Sequence, residues 1–365
     1  YLLELITENN QIIKYTPRLV FRNQLNSKNK VDSISSILSN NSFPWKSEWQ
    51  LRFYENINRT FITKDTNKEI IQLIDKAEDP IEIKFKGLEK YLEFDSNFFG
   101  EMIKHIVVKN EEDKVNVYLS YDSFREYYND FNCDFKTVEK AYFQQFKIKE
   151  GFDYEGKGFI KLLKDDPSFL LDFTHFIISD IDRRLNIDSR DMGYIWKVDD
   201  IEKQLSEVFD IISESGPMVG IRGDFVKVFF KNLDDSVIGR TNEFLLDYIS
   251  INYNDPDKIN IVIEIIREVR KELFEKALLH YLSYNTARED FEKILWRGIG
   301  RALVGEEIGG DIEAADWKGI LTIIEKSDLG VELLSIKNYI KERIKNCLES
   351  AEETRRRRFI TQSYI

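Results

Sequence analysis

The chain has 365 residues, 42% of them apolar and 32% charged, and its formal net charge is −12. That balance describes a globular chain able to bury a large core, and it repels a nucleic-acid backbone unless the basic residues are segregated. Cys133 and Cys347 stand far apart with no CxxC or Cys/His grouping, so a disulfide framework and a thiolate zinc site are both unsupported.

With only 6 Pro and 17 Gly, breakers are few, and the composition favours helix over a sheet-and-turn architecture. No uncharged apolar run reaches the roughly 18 residues of a spanning helix, so no membrane contact is expected. The opening Tyr1-Leu-Leu-Glu-Leu-Ile6 is acidic and too short for a signal peptide, which makes the cytoplasm the expected location. A helical pattern already runs at Tyr1, and the expectation is a fragment of a longer polypeptide.

Residues 1–7 read as a helix end, and Asn9, Asn10 and Pro17 as a connection. Residues 28–39 carry Val31, Ile34, Ile37 and Leu38 at helical spacing. Phe43-Pro44-Trp45 opens a helix in which Trp45, Trp49, Phe53 and Ile57 recur every four residues. Residues 65–75 form a short amphipathic helix on Ile70, Ile71 and Ile74. Then the period changes. Ile81, Ile83 and Phe85 alternate with charged residues, as do Val115, Val117, Leu119 and Tyr121, and period two argues for strand. Residues 106–109, the turn Asn110-Glu111-Glu112-Asp113 and residues 114–121 would make a small β-hairpin around residues 103–121. Short helices with β-branched residues are the alternative. Helix returns over 123–131 and 135–146.

Gly151, Gly156 and Gly158 mark a soft boundary, dividing a helical subdomain over 1–150 from a helical-repeat subdomain over 151–365. Asp166-Pro167 reads as an N-cap followed by Pro at the first helical position, ahead of Phe169, Phe173, Phe176 or Ile177, and Ile181 on one wide face. Residues 199–213 give the clearest helix, with Ile201, Leu205, Val208 and Ile212 as its seam and Asp199 and Glu202 at capping-box spacing. Gly216-Pro217 ends it. Further helices follow over 218–231, 242–251 and 257–282, the last long enough to kink or divide. Residues 290–303 carry Phe291, Ile294, Leu295 and Trp296, and Gly305, Gly309 and Gly310 lead into a closing helix pair over 311–360. Its first helix presents Trp317, Ile320, Leu321 and Ile324. Ser327, Asp328 and Gly330 break the pattern, and Asp328 is placed to cap the second helix. That helix presents Leu333, Ile336, Ile340, Ile344 and Cys347 or Leu348. Such a pair cannot cover its own apolar face and must stack on a neighbour. The expected fold is therefore mostly all-α, an irregular HEAT-like helical array or α-solenoid without exact repeats.

Motifs that carry chemistry are missing. The glycine-rich Gly216-Pro-Met-Val-Gly220-Ile-Arg-Gly223 lacks the Gly-Lys-Ser/Thr ending of a phosphate-binding loop and follows a helix. His105, His175 and His280 are too dispersed for a local ligand pair, and His175, among Phe173, Phe176 and Ile177, reads as a packed histidine. The carboxylate pairs Asp165-Asp166, Asp199-Asp200, Asp234-Asp235 and Glu306-Glu307 read as caps and macrodipole partners, and Asp180 and Asp182 beside Arg183-Arg184 as an ion-pair face. No residue is assigned as catalytic, cofactor-binding or metal-ligating, and no cofactor is expected. Tyr127, Tyr128, Phe131, Tyr142, Phe143 and Phe146 either present a sticky surface or fill the spaces between helices. The run Arg355, Arg356, Arg357 and Arg358 is out of character with the acidic chain. It is a helix end paired with Glu352 and Glu353, or a contact for an acidic protein partner or a phosphate backbone.

Tyr284-Asn285, Phe291-Glu-Lys-Ile-Leu-Trp296, Trp317-Lys-Gly-Ile-Leu321 and Tyr339-Ile-Lys-Glu-Arg-Ile344 resemble the C-terminal helical regions of bacterial STAND-type ATPases and their relatives in antiviral defence. The resemblance covers under a quarter of the chain. It implies a cytoplasmic protein whose helical region recognises a partner protein and controls an ATPase located elsewhere. No ATPase motif stands in these residues, so it carries over neither nucleotide binding nor effector chemistry.

The expectation for function is a non-catalytic, protein-binding or regulatory helical module, a sensor or scaffold, with a protein as its partner and no small-molecule ligand. Self-association is compatible with this. The alternatives are an enzyme with a dispersed Asp/Glu metal-dependent site of nuclease type, and a nucleic-acid-binding scaffold using Arg355 to Arg358.

Overall fold

The computed structural model describes residues 21, 25–40, 42, 45–111, 117–148, 151–179, 190–215, 221–294, 296 and 309–363, with backbone alone at 221–224 and 358–363. Among these residues there are sixteen α-helices and one pair of three-residue strands, so the fold is mostly all-α. The expected helix end over 1–7, the turn at Gly216-Pro217 and the loop at Gly305 lie outside the described residues. The chain forms two compact units, Tyr1–Phe169 and Leu170–Ile365. The glycine-bearing turn at 151–158, where a boundary was expected, lies within the first unit. The reason is aromatic packing: the rings of Phe152, Phe159 and Phe169 stand 5.3, 6.2 and 5.7 Å from that of Tyr142.

The first unit runs through α1 (Lys28–Asn40), α2 (Lys46–Asn56), α3 (Lys64–Lys76), β1 (Ile81–Ile83), α4 (Phe98–Glu111), β2 (Val117–Leu119), α5 (Tyr121–Tyr127), α6 (Phe135–Ile148) and α7 (Lys157–Asp165). Its centre is α4, which buries Phe98, Phe99, Met102, Ile103, Ile106 and Val107. That spacing corrects the hairpin. Ile106 and Val107 continue the helical face begun at Phe98, so residues 106–109 complete α4 and are not a strand. The alternation at 81–83 and 117–119 does form strands, but they pair with each other in parallel, Ile81 opposite Val117 and Ile83 opposite Leu119. A parallel pair needs a crossover, and α4 supplies it.

Two strands leave two open edges, and buried polar side chains close them. Arg52, 3% exposed, donates Nη2 to the Glu82 carbonyl at 2.8 Å. Asn110 donates to the Val117 carbonyl at 3.1 Å, and the fully buried Gln145 accepts from the Leu119 amide at 2.7 Å. Ser123 Oγ accepts from the Phe85 amide at 3.1 Å. Spacing shows none of these as strand partners: Arg52 and Gln145 stand 30 and 26 residues from the groups they meet, and Asn110 reads as part of α4.

The second unit begins within α8 (Phe169–Ser179) and continues through α9 (Ile201–Glu214), α10 (Ile221–Val228), α11 (Asp235–Asn252), α12 (Pro256–Glu268), α13 (Phe274–Tyr284), α14 (Arg288–Lys293), α15 (Gly309–Lys326) and α16 (Leu334–Ser363). Here α12 buries Ile259, Ile261, Val262, Ile263, Ile265 and Ile266 across a wide face, with Asn260, Glu264 and Glu268 following one another on the opposite side. Asp255 caps it, accepting from the Asp257 and Lys258 amides at 3.1 and 3.3 Å, and Pro256 opens the first turn. The long helix expected over 257–282 is two helices, interrupted at 269–273, where Arg270 turns to donate to Asn242 Oδ1 at 2.7 Å.

Two expected caps do not form. Asp200, at φ 54°, precedes α9 with no side-chain cap, and Glu202 is held by Arg240 instead of closing a box with Asp199. Before α16 a 3-10 turn, Val331–Leu333, intervenes after Gly330, so Asp328 caps nothing. The seams of the closing pair hold as read: Trp317, Ile320 and Ile324 meet Leu333, Ile336, Ile340 and Cys347, with Leu348 left 39% exposed. Gly310 permits the close approach, since a Cβ there would lie 2.5 Å from the Cys347 carbonyl oxygen.

Candidate functional site

A catalytic centre needs ionisable groups that converge with unsatisfied valence. In the first unit they converge but are satisfied. Arg52 donates Nε to Glu48 at 2.7 Å and pairs with Glu55 as well as with the Glu82 carbonyl, a buried ion group that fastens α2 to β1. Lys90 donates to the Glu55 and Ile57 carbonyls at 2.8 and 2.7 Å, where α2 ends. Burial brings its pKa down to about 8, and Glu55 resists the shift. Asp153, at φ 51°, accepts from the Tyr142 hydroxyl at 2.6 Å and from the Gly158 and Phe159 amides at 3.2 and 2.7 Å. Burial raises its pKa and those bonds oppose the rise. Its two amide partners open α7, so this buried carboxylate serves as a helix cap.

The histidines do not meet. His105 Nδ1 lies 2.8 Å from Asp75, and the His280 ring packs against Tyr284 at 5.2 Å. His175, expected to be packed, is exposed: Phe173, Thr174 and Ile177 take the buried side of α8 and turn it outward. Among the described residues no group of three His, Cys, Asp or Glu side chains could hold a metal ion. The Cys133 thiol is pushed up to about 11 by burial and by Asp134. Asp166 accepts from the Ser168 amide at 2.9 Å and Asp234 pairs with Lys197 at 2.9 Å, so these two carboxylates are turn and ion-pair partners. The 180–184 charges, Glu306-Glu307 and the 216–220 glycine stretch lie outside the described residues.

The arginine run lies on α16. Arg356 pairs with Glu352 at 2.6 Å, Arg357 with Glu353, and Arg355 reaches across to Asp311 on α15. Acidic neighbours thus offset three of these cations, and the Arg358 side chain lies outside the described residues. Of the aromatics singled out in the first unit, Phe131, Tyr142 and Phe146 are buried, and Tyr127, Tyr128 and Phe143 are partly covered.

Two of the concavities among the described residues carry several polar and charged side chains. The first, about 760 Å³, lies in the first unit and is lined by polar side chains including Ser39, Lys46, Gln50, Tyr54, Gln72 and Asp79. One Asp79 oxygen accepts from the Ser47 amide at 3.3 Å and the other is buried without a partner. The second, about 290 Å³, is a groove in the second unit between α9 and α11, floored by Phe244 and Tyr248 and ending at Ile251. Glu202 and Arg240 line it as a bidentate pair, with Nη2 2.6 Å from one oxygen. This contact holds the Glu202 carboxyl below the usual carboxylate range. The Arg240 guanidinium also donates to the Trp196 and Val198 carbonyls at 3.0 and 3.3 Å.

Where α11 ends, apolar side chains stand in solvent. Ile251 is 74% exposed, and Tyr253 stacks on the half-exposed Tyr284 of α13 with ring centres 5.8 Å apart and planes at 23°. Asn285 fixes this arrangement by donating to the Tyr253 carbonyl at 3.0 Å. Sequence reading missed Ile251 and Tyr253 as surface residues. Spacing gave no signal for Ile251, which stands three residues after Tyr248 and seven after Phe244, where a buried position is expected. The pairing of Tyr253 with Tyr284 had none either.

No protein-family model, no curated protein and no solved structure matches the chain. Among the described residues no helix is long and apolar enough to cross a membrane.

Proposed function

We propose that the chain is a HEAT-like helical module that binds a protein partner and carries out no chemistry of its own. The observation that carries this reading is the exposed Ile251–Tyr253–Tyr284 surface at the ends of α11 and α13. Tyrosines with fixed rings lose little entropy on contact and are favoured anchors at interface centres. Among the described residues no three His, Cys, Asp or Glu side chains are grouped to hold a metal ion, and the buried Arg52, Lys90 and Asp153 are engaged in strand-edge, carbonyl and cap contacts, which argues against the metal-dependent nuclease alternative. The offset charges of Arg355 to Arg357 argue against a nucleic-acid scaffold. The resemblance to STAND-type helical regions accords with a partner-recognising role beside an ATPase.

The test is a comparison of co-purified proteins from native cells. A partner retained by the wild-type chain and lost by Tyr253→Ser/Tyr284→Ser, with the circular dichroism spectrum unchanged, is the expected result. A partner set that ignores this double substitution would refute the reading. So would a tight divalent-metal site with metal-dependent cleavage of nucleic acid.

A further inference from the structure

Three helices of the first unit turn a polar stripe toward one cleft, where helices packed side by side usually meet through apolar faces. Ser35 and Ser39 of α1 are one turn apart. Lys46, Gln50 and Tyr54 of α2 follow one another at intervals of four, and Gln72 and Lys76 continue the stripe begun by Glu69 on α3. The apolar faces of these helices lie elsewhere: α2 buries Trp49, Leu51 and Phe53, and α3 buries Ile70 and Ile74. The cleft of about 760 Å³ is thus a built polar surface, within the roughly 300–1,000 Å³ of small-molecule sites.

Its charges select against an ionic ligand. Lys46, Lys76, Glu69, Glu78 and Asp79 nearly cancel. Lys46 donates to the Ser39 carbonyl at 2.9 Å, and Glu69 accepts from the Tyr54 hydroxyl at 3.1 Å. Asp79 accepts from the Ser47 amide at 3.3 Å and so occupies the N-terminus of α2, where an anion would otherwise sit. What the walls offer besides is neutral: the amides of Gln50 and Gln72 and the hydroxyls of Ser35 and Ser39, groups that both donate and accept. Trp45 completes the lining, partly buried and at φ 63°. Bulky residues rarely take this left-handed conformation, and such strain gathers at functional positions. The indole face is electronegative and attracts the C–H side of a sugar ring.

We propose that the cleft between α1, α2 and α3 binds a neutral carbohydrate, with a pyranose ring on Trp45 and its hydroxyls bonded to Gln50, Gln72 and the α1 serines. A pyranose has the matching chemistry, hydroxyls around its edge and C–H bonds on its face. This goes against the expectation of no small-molecule ligand. The motifs missing from the sequence are those for phosphate and metal, and a neutral sugar needs neither. The site is independent of the protein-binding reading, whose tyrosines belong to the second unit.

The probes are maltose, cellobiose, lactose and diacetylchitobiose, compared with glucuronic acid, glucosamine and adenosine, each followed by saturation-transfer difference NMR on the full chain. At least one of the neutral disaccharides is expected to bind with a dissociation constant of about 1 mM or tighter, and the comparison compounds to be about tenfold weaker or more. Trp45→Gly, which suits the left-handed backbone, and Gln50→Ala/Gln72→Ala should each weaken that sugar by about tenfold or more. Tyr154→Ala removes an exposed ring of the same unit that is not part of the lining, and should leave binding within about twofold. The urea transition reports the folded state of each variant, and the glutamine pair, exposed or partly so, tests the site without altering Trp45. Failure of all the neutral disaccharides to bind, binding unaltered by the Trp45 and glutamine variants, equal loss in Tyr154→Ala, or tighter binding of adenosine or a charged sugar overturns the assignment.

Discussion

The two units bury polar groups in different ways. In the first, a three-residue strand pair leaves backbone edges that water cannot reach, and Arg52, Asn110 and Gln145 are drawn into the core to close them. In the second there is no sheet among the described residues. The core is α12 and rings such as Phe209, which stands 5.6 Å from Phe244 and 5.1 Å from Tyr248, and charge gathers on the surface of α9 and α11. Buried charge occurs in both units and differs in what it serves: Arg52 bonds a strand carbonyl, whereas the second unit's Arg270, 5% exposed, bonds the side chains of Asn242 and Glu272. A helix satisfies its own backbone and needs no buried partner, and a minimal sheet does not.

The sharpest way to break this contrast is a matched pair of substitutions. Arg52→Met strands Glu48 and Glu55 inside the first unit and should cost about 3–5 kcal/mol, read from the urea transition. Phe209→Ala removes a ring from the second unit and should cost about 3–5 kcal/mol by an unrelated route, a cavity. The two differ in rescue. Raising salt should leave the Phe209→Ala defect unchanged, and Arg52→Lys should recover little because a point charge cannot hold two carboxylates and a carbonyl together.

A smaller effect isolates the strand edge. Gln145→Leu keeps the volume and leaves the Leu119 amide unpaired, for an expected loss of about 1–3 kcal/mol with faster hydrogen exchange at Leu119. The pH dependence separates the units further. Between about 8, the folded value for Lys90, and the usual 10.5, the unfolded chain holds a proton that the folded chain has released. Stability of the first unit should therefore rise with pH across that window and fall as pH drops through 8, and Lys90→Met should flatten the slope. In the second unit the lowered Glu202 pKa places the slope in acid: its contribution is present above the usual value of 4.5 and is lost as pH falls below it. Ile251→Ser is the mildest substitution. At 74% exposure it should change stability by no more than about 0.5 kcal/mol, and a larger loss in thermal denaturation would mean that Ile251 supports the fold.

Local order was legible wherever one element carried its own signal. The faces of α1, α9 and the closing pair follow from spacing alone, and the period-two stretches at 81–83 and 117–119 were strands as their alternation indicated. The cap of α12 was also legible in Asp255-Pro256, which repeats the Asp-Pro pattern recognised at Asp166-Pro167. The cleft was not legible, since the polar stripes of α1, α2 and α3 acquire meaning only against one another.

Apolar periodicity, scarce breakers and acidic composition are properties of neighbouring residues, so the sequence by itself determined a mostly helical chain and most of its buried faces. Partner choice depends on residues far apart in the chain. Only the tertiary structure decided that β1 pairs in parallel with β2 instead of β2 turning back on 106–109. It likewise drew Glu202 from a cap to Arg240, turned His175 outward and stacked Tyr253 on Tyr284. For the strands, Glu202 and Tyr253 the deciding contact spans tens of residues, beyond the reach of a local preference worth about 1 kcal/mol, which is why spacing could not foresee it.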